Sequence, residues 1–259
     1  MIVTTIRGPR VTAVGGVAEA SVSELGTVTR ALLGIARDRT DSRALAARIC
    51  EACLDGLDVD GAAISLFTTS ESRETLWATD PVAELLEDLQ FTLNEGACIE
   101  AATTGHPVVV PDVHHDAHVA RWPMFAGAVV EQTRVRALFA LPMQWGVVNL
   151  GVLDLYRDAP GELSELQWDD AVSAADTAAS MMLGQRTDPG DHDDGWLESA
   201  FSQRAEVHQA TGMVLAQLGV SAEDALARLR AHAFVHQRLL IDLARDVVDR
   251  RLVFTRDMT

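Results

Sequence analysis

The sequence predicts an α+β protein in two parts: an antiparallel sheet flanked by helices, followed by a short all-α region. In residues 25–185, apolar runs bounded by turn residues lie between two stretches with helical periodicity, which is an α+β layout. Residues 197–259 show only helical periodicity. Between the two lies the polar segment 186–196, whose "RTDPGDHDDG" contains no residue suited to a core and therefore indicates a solvated linker.

Residues 1–24 precede the first helical stretch and are expected to form a flexible tail. The tail resembles a secretory signal only weakly, because its apolar stretch is short and contains Gly15 and Gly16. No apolar run approaches the roughly 18 to 20 residues that span a bilayer. The three cysteines lack metal-finger spacing and suggest free thiols in a reducing cytoplasm. We therefore expect a cytoplasmic protein.

The charge of the chain is distributed unevenly between its two parts. The net charge is −17, and all 21 basic residues are arginine. Residues 1–195 contain 13 arginines and 30 acidic residues, whereas residues 196–259 contain eight of each. The first part should therefore repel nucleic acid, while the second part should not.

The elements of the first part can be assigned in chain order from periodicity and turn residues. We predict two helices, or one bent helix, over Thr27–Leu57 with a break near Asp38–Asp41. A strand at Gly61–Thr69, a second strand in "ETLWATD" and a short helix in "AELLEDLQFTL" with a strand-like end follow. The last elements are a strand within Gly105–Val113, a hairpin over Arg134–Asp158 that turns at Trp145–Gly146, and a helix at Leu163–Leu183.

Five stretches of the first part, in chain order, resemble a GAF domain over roughly Leu25–Leu183: "DGAAISLF", "LNEGACIEA", "GHPVVVPDV", "RWPMFAGAVV" and "ALFALPMQWGVVNLGVLDLY". The resemblance implies a small-molecule sensor whose ligand is unknown, since GAF domains bind cyclic nucleotides, haem, bilins, small metabolites or nothing.

Several residues of the first part are candidates for a ligand site, and each also has a structural explanation. The stretch "HPVVVPDVHHDAHVARW" contains His106, His114, His115 and His118. A metal or haem ligand is conceivable, but the Pro-Asp pair favours a loop with surface histidines, and no metal site is predicted. Cys98 in "EGACIE" is either redox-active or a buried inert thiol. Packing is favoured for the helical pair Cys50 and Cys53, and a core position for Trp122, Phe125 and Trp145.

No pattern in the sequence indicates an enzyme. It lacks a glycine-rich phosphate loop, a Gly-x-Ser-x-Gly elbow and a paired metal-ligand signature. We therefore expect a protein without catalytic residues.

The last part is predicted to form three helices. The first, at Trp196–Leu218, has a heptad-like stripe on one face and an apolar row on the other, which favours packing both within the chain and against a second copy. Ser221 is predicted to cap the second helix, with Asp224 in capping-box position. The third helix is expected at Arg238–Arg251. Its buried residues are predicted to be Leu240, Leu243, Ala244, Val247 and Val248.

These helices resemble the ANTAR domain, an RNA-binding antitermination module. The matching residues are Arg204, "VHQATGMVLAQLGVSAEDALARLRAHA" and "LIDLARDVV", and Ala210 and Gly212 stand where the family has its Ala-x-Gly. The family often has lysine between those two residues, whereas this chain has Thr211. The resemblance implies that the region binds paired hairpin loops in nascent RNA as a dimer. Taken singly, Ala210 and Gly212 are also explained by close helix packing.

A module without net positive charge should bind duplexes weakly, which favours recognition of unpaired loop bases by shape, stacking and hydrogen bonds. The predicted RNA-binding residues are Arg204, Gln209, Thr211, Gly212, His236 and Arg238, with Gln237 as an alternative to His236. For Arg245, a solvated face of ion pairs within the helix explains the sequence better than RNA contact. The first hypothesis is a signal-responsive antitermination regulator. The alternative is an interaction protein whose C-terminal helices dimerise or bind another protein.

Overall fold

The structure is a computed structural model that describes residues 25–35, 41–67, 73–146, 148–186 and 205–255. It confirms the α+β class: a five-stranded antiparallel sheet lies between helices, and three further helices follow it. The predicted tail, the linker after its first residue, and Arg204 all lie outside the described residues.

The first part alternates helices and strands in an order close to the predicted one. Its elements are α1 (Thr27–Ile35), α2 (Ser42–Gly56), β1 (Gly61–Phe67), β2 (Arg73–Ala78), α3 (Pro81–Leu93), α4 (Ala97–Thr104), β3 (Val108–Val110), α5 (Asp116–Arg121), α6 (Pro123–Gln132), β4 (Ala137–Trp145), β5 (Val148–Arg157) and α7 (Glu165–Arg186). We call this part the sensor domain. The C-terminal elements are α8 (Ala205–Leu218), α9 (Ala222–Val235) and α10 (Leu240–Val248), which we call the three-helix module.

The sheet has the strand order β2-β1-β5-β4-β3, and every neighbouring pair is antiparallel. The predicted hairpin is confirmed: β4 and β5 pair up to Trp145 and Val148, and Gly146 takes a left-handed φ of 60° in the turn. The tip of this hairpin extends beyond the core. The expectation of a core position is therefore wrong for Trp145, which is 53% exposed.

Side chains of each strand alternate between two apolar layers, because successive residues of a strand point to opposite faces of the sheet. In β4, Phe139 and Leu141 pack in the cluster that includes residues of α1, α2 and α7. Leu138 and Ala140 pack in the cluster that includes residues of α3, α4 and α6. Both layers are buried, so the sheet has no open face in its middle strands.

Helix α3 differs from the prediction at its C-terminal end. The end of "AELLEDLQFTL" is predicted to be strand-like, but in the structure it continues the helix to Leu93. Asp80 caps the beginning of α3 by accepting hydrogen bonds from the backbone N–H groups of Val82 and Ala83. Asn94 ends the helix in the left-handed conformation, with φ 54°. Burial of Phe91 and Thr92 overrides their local preference for strand.

The three-helix module has its own apolar core. Of the two faces predicted for α8, the apolar row opposite the heptad-like stripe is the buried one; its members are Val207, Ala210, Val214 and Leu218. The predicted cap is confirmed too: Ser221 Oγ accepts from Asp224 N at 3.1 Å. Helix α10 is shorter than expected, because Leu239 precedes it in extended conformation and Arg250 follows it with a left-handed φ of 59°.

Candidate functional site

The sensor domain contains a small cavity of about 20 Å³ between the sheet and α3. Apolar side chains make up most of its wall, and a few polar ones face it. Its lining residues are Ala62, Ala63, Ala83, Leu86, Glu87, Gln90, Ala97, Leu138, Asp154, Leu155 and Tyr156. Its lining, mostly apolar with a few polar groups, is typical of a small-molecule site, and its volume is that of about one water molecule, so a larger ligand would have to move α3 away from the sheet.

Two contacts fix α3 over the cavity. The Tyr156 hydroxyl on β5 donates to Asp80 Oδ1 at 3.0 Å, so the N-terminus of the helix is tied to the sheet. Burial and this neighbouring carboxylate raise the pKa of the Tyr156 phenol. At the other end, Gln90 Oε1 accepts from the backbone N–H of Cys98 at 2.8 Å, which joins α3 to the start of α4. Gly96 has a φ of 120°, and a Cβ at this position would overlap the Gln90 side chain.

A buried polar cluster lies at one side of the cavity, around Glu87. Its carboxylate accepts hydrogen bonds from the Ser65 hydroxyl and from Gln90 Nε2, the latter at 3.2 Å, and lies 3.5 Å from Arg73 Nη2. Arg73 is only 5% exposed, and its Nη2 also donates to the Glu87 backbone carbonyl at 3.2 Å. Among the described residues, Nε and Nη1 of Arg73 have no hydrogen-bond acceptor. Buried guanidinium donors are normally satisfied, so two that are not mark a polar site with unused binding capacity.

Asp154 and Cys98 complete this cluster. The ligand atoms of Glu87, Cys98 and Asp154 lie within 4.8 Å of one another. Burial and the charge of Glu87 raise the pKa of Asp154 well above its usual value, which favours a protonated carboxyl. Three such groups are potential metal ligands, but the Arg73 guanidinium beside Glu87 already supplies the positive charge that a cation would bring. The arrangement is better suited to an organic ligand that exchanges hydrogen bonds with these polar groups.

All three cysteines are free and buried, and burial raises the pKa of each thiol, for Cys53 to about 12. Because the thiolate is the reactive form, we predict that none reacts rapidly with a chromogenic disulfide reagent in the native protein at pH 8. In denaturant all three should react. Cys98→Ser serves as the control and should lower only the denatured count. Rapid native reaction of one thiol that disappears in Cys98→Ser would favour the redox interpretation of Cys98.

The histidine-rich stretch is partly helical, so the expectation of a loop is wrong for residues 116–121. His115 lies at the beginning of α5, where its Nδ1 accepts from Ala117 N at 3.3 Å, and His118 lies inside that helix. Arg136 holds the preceding turn through two hydrogen bonds to Asp112, of 3.0 and 2.6 Å, which lower the pKa of Asp112 to about 2. Within the described residues, the histidines belong to no group of three potential metal ligands.

The predicted RNA-binding residues lie on two elements of the module. Gln209, Thr211 and Gly212 are on α8, and His236 and Arg238 are in the turn between α9 and α10. Arg204 lies outside the described residues.

Their surroundings differ. Gln209, Gly212 and His236 are exposed. The Thr211 hydroxyl donates to the Val207 carbonyl at 2.7 Å, so its hydrogen is used within the helix. Arg238 forms an ion pair with Asp246 at 2.7 Å, so this guanidinium is partly neutralised.

Ala210 and Gly212 play different roles, although both are small. Ala210 is fully buried in the module core, as packing requires. A Cβ on Gly212 would meet no atom within 4 Å, so packing among the described residues does not explain this glycine. The same face of α8 includes Leu215, which is 37% exposed. Among the described residues, none covers this side of the helix.

Sequence reasoning missed two features, the polar cluster and a contact between the two parts. Arg73, Glu87 and Asp154 come from β2, α3 and β5, so spacing along the chain does not relate them. The only sign of the polar cluster in the local sequence is the charged pair Arg73 and Glu74 at the start of the apolar strand β2. In the contact between the parts, His208 Nε2 lies 2.7 Å from Glu74 Oε1, and Phe91 packs into the core of the module.

The family model of the GAF domain matches residues 41–183, and that of the ANTAR domain matches residues 196–248. The chain is similar to a solved GAF domain from a phosphoenolpyruvate-protein phosphotransferase of Coxiella burnetii. That match has 12% sequence identity and a TM-score of 0.48, over 61% of this chain and 92% of that one. It is also similar to free methionine-R-sulfoxide reductase from Neisseria meningitidis, with 18% identity and a TM-score of 0.47, over 62% and 88% of the two chains. No curated protein has a sequence that matches this chain. Of the described helices, none is long and apolar enough to cross a membrane.

Proposed function

Because this chain belongs to the GAF domain family and also contains an ANTAR domain, which makes it a signal-sensing regulator, we propose that it controls transcription antitermination through nascent RNA. The three-helix module binds hairpin loops in a transcript leader, and binding keeps a terminator hairpin from forming. The cavity of the sensor domain binds the small molecule that sets the response. The protein acts as a regulator and not as an enzyme.

The open surface of α8 around Gly212 carries the proposal. Gln209 and Gly212 are exposed there, and the glycine lets another molecule approach the helix backbone. Since the module has equal numbers of arginines and acidic residues, phosphate attraction alone would be weak. Unpaired loop bases offer the stacking surfaces and hydrogen bonds that such a module needs.

A homodimer suits this function, because two hairpin loops in one leader can each meet one subunit. The exposed Leu215 and the open backbone at Gly212 give α8 a face for a second copy or for RNA. The cytoplasm is the compartment of nascent bacterial transcripts, and the free cysteines suit its reducing conditions.

A gel-shift titration tests the proposal. The full chain is mixed with a transcript leader containing two hairpins with six-base loops, and in parallel with the same leader in which both loops are replaced by four-base tetraloops. We expect saturable binding of the first RNA and at least tenfold weaker binding of the second, a difference of about 1.4 kcal/mol. Equal affinity for both RNAs would contradict loop recognition.

The same preparation also tests the alternative functions. An absent shift together with a stable dimer in size-exclusion chromatography would favour the interaction protein, whose C-terminal helices bind protein instead of RNA. A Soret band in the absorption spectrum of the freshly purified protein would instead favour a haem sensor. Extraction and mass spectrometry of any co-purified small molecule would identify the ligand of the cavity.

A further inference from the structure

The sensor domain and the three-helix module meet at a surface that we call the docking surface, formed by Glu74 on β2 and by Phe91 and Thr92 at the end of α3. Each of the three residues is buried and contacts a different element of the module. Glu74 reaches α8, Phe91 reaches α9, and Thr92 reaches the first residue of α10. One surface of the sensor domain therefore holds all three helices of the module.

Phe91 is the apolar anchor of this surface. It lies on a sensor-domain helix, yet it packs in the same buried cluster as the core residues of the module and is only 5% exposed. The Arg230 guanidinium lies 5.2 Å from the centre of the Phe91 ring, and Arg230 Nε donates to the Phe91 carbonyl at 3.2 Å. Cation–π attraction and this hydrogen bond fix α9 against the C-terminal end of α3.

Thr92 acts as the missing cap of α10. The residue before the helix, Leu239, has no side-chain oxygen, so it cannot satisfy the free N–H groups of the first turn. The buried backbone N–H of Leu240 donates to Thr92 Oγ1 instead, at 3.2 Å. The sensor domain thus completes a helix of the module, and the module loses this acceptor if it moves away.

Glu74 adds a polar contact to α8. Its carboxylate is completely buried in the edge strand β2, and Oε1 lies 2.7 Å from Nε2 of His208. The contact holds α8 at the position just before Gln209, one of the proposed RNA-binding residues. The docked turn between α9 and α10 carries His236 and Arg238, which are two more of them.

We propose that the docking surface is an intramolecular binding site for the three-helix module, and that docking holds the module in a state of low RNA affinity. This inference rests on the proposed RNA-binding function of the module. Docking places a module without net charge beside the acidic sensor domain, since residues 1–195 together account for the whole net charge of −17. RNA phosphates that approach the docked module meet this negative field, and the field decreases with distance once the module is released.

The docking surface shares α3 with the wall of the cavity, and it shares β2 with the buried polar cluster beside the cavity. Arg73 immediately precedes Glu74 on β2, and Glu87 and Gln90 precede Phe91 on α3. A ligand that shifts α3 or β2 when it binds beside these residues also shifts the docking surface. Ligand binding and RNA binding then become linked through one docking equilibrium.

The experiment uses a double variant in the sensor domain, Glu74→Gln with Thr92→Val, so that the proposed RNA-binding surface is untouched. Its matched control is Glu84→Gln with Thr104→Val, which makes the same two chemical changes at exposed positions outside the docking surface. Docking is measured in the full chain by the distance between spin labels on Glu131→Cys and Ala216→Cys. Both positions are exposed, and the native cysteines are buried. RNA affinity is measured with unlabelled proteins and the two-hairpin leader.

We expect the double variant to broaden and lengthen the label distance and to raise RNA affinity on the order of fivefold or more, with the control unchanged in both. An unchanged distance would show that the docking surface does not hold the module. A longer distance with unchanged RNA affinity would overturn the link between docking and affinity. If no protein binds the RNA, the proposed function itself fails, and the label distances still decide whether the docking surface exists.

Discussion

Replacing Asp170 by alanine is expected to lower the free energy of unfolding of the sensor domain by about 3 kcal/mol. The Asp170 carboxylate on α7 is buried and accepts three hydrogen bonds from the start of α1. The donors are Val28 N at 2.8 Å, Thr29 N at 3.0 Å and the Thr29 hydroxyl at 2.8 Å. It serves as the N-cap of a helix that precedes it by about 140 residues. Alanine would leave these buried donors unsatisfied, at a cost of roughly 1 to 3 kcal/mol each, partly relieved by water.

The control for this prediction is Asp169→Ala, which removes the same charge from an exposed position on the same helix. Urea denaturation followed by circular dichroism should show a clearly lower midpoint for Asp170→Ala, with little change for Asp169→Ala. Gly26→Ala should also destabilise the domain, because its Cβ would lie 2.0 Å from Asp170 Cγ. Equal midpoints for the two aspartate variants would mean that α1 does not depend on this cap.

The regular elements of this fold could be predicted from the sequence because their signals are local. Two apolar runs on either side of Trp145–Gly146 predicted the hairpin of β4 and β5, and a serine followed by an aspartate three residues later predicted the cap at Ser221. Both depend on residues that are neighbours in the chain. The predictions fail where residues that are distant in the sequence determine the local structure. Phe91 is helical because it is buried between two parts of the molecule, and Trp145 is exposed because the hairpin extends past the core.

The candidate sites are harder to predict from the sequence, because they too depend on residues that are distant in the chain. The buried polar cluster joins Arg73, Glu87 and Asp154, and these residues meet only through the strand order of the sheet and the packing of α3 on it. The cap of α1 by Asp170 has no local pattern at all. On α8, by contrast, family resemblance identified Gly212 directly, although only the structure shows that no atom of the described residues lies within 4 Å of its Cβ position. The proposed RNA-binding set is therefore best tested at this residue.

Gly212→Leu is expected to weaken binding of the two-hairpin RNA by about tenfold or more, equivalent to about 1.4 kcal/mol, while the fold remains intact. A Cβ at this position meets no atom of the described chain within 4 Å, and leucine favours helix over glycine by roughly 0.8 kcal/mol. The thermal midpoint should therefore stay the same or rise. RNA that lies against the backbone of α8 would collide with the added side chain. Gel shift and thermal denaturation of the same preparations measure the two effects.

The matched control is Gly127→Leu on α6, since Gly127 is also an exposed helical glycine with no atom within 4 Å of its Cβ position. This control variant should preserve RNA affinity.

Sedimentation equilibrium then distinguishes the two possible occupants of the α8 face, RNA and a second copy of the chain. If Gly212→Leu remains a dimer and loses RNA, the face contacts RNA directly. If it becomes a monomer, the face is the subunit contact, and RNA binding depends on it indirectly. Unchanged affinity and unchanged association would remove Gly212 from the proposed RNA surface and from the subunit contact.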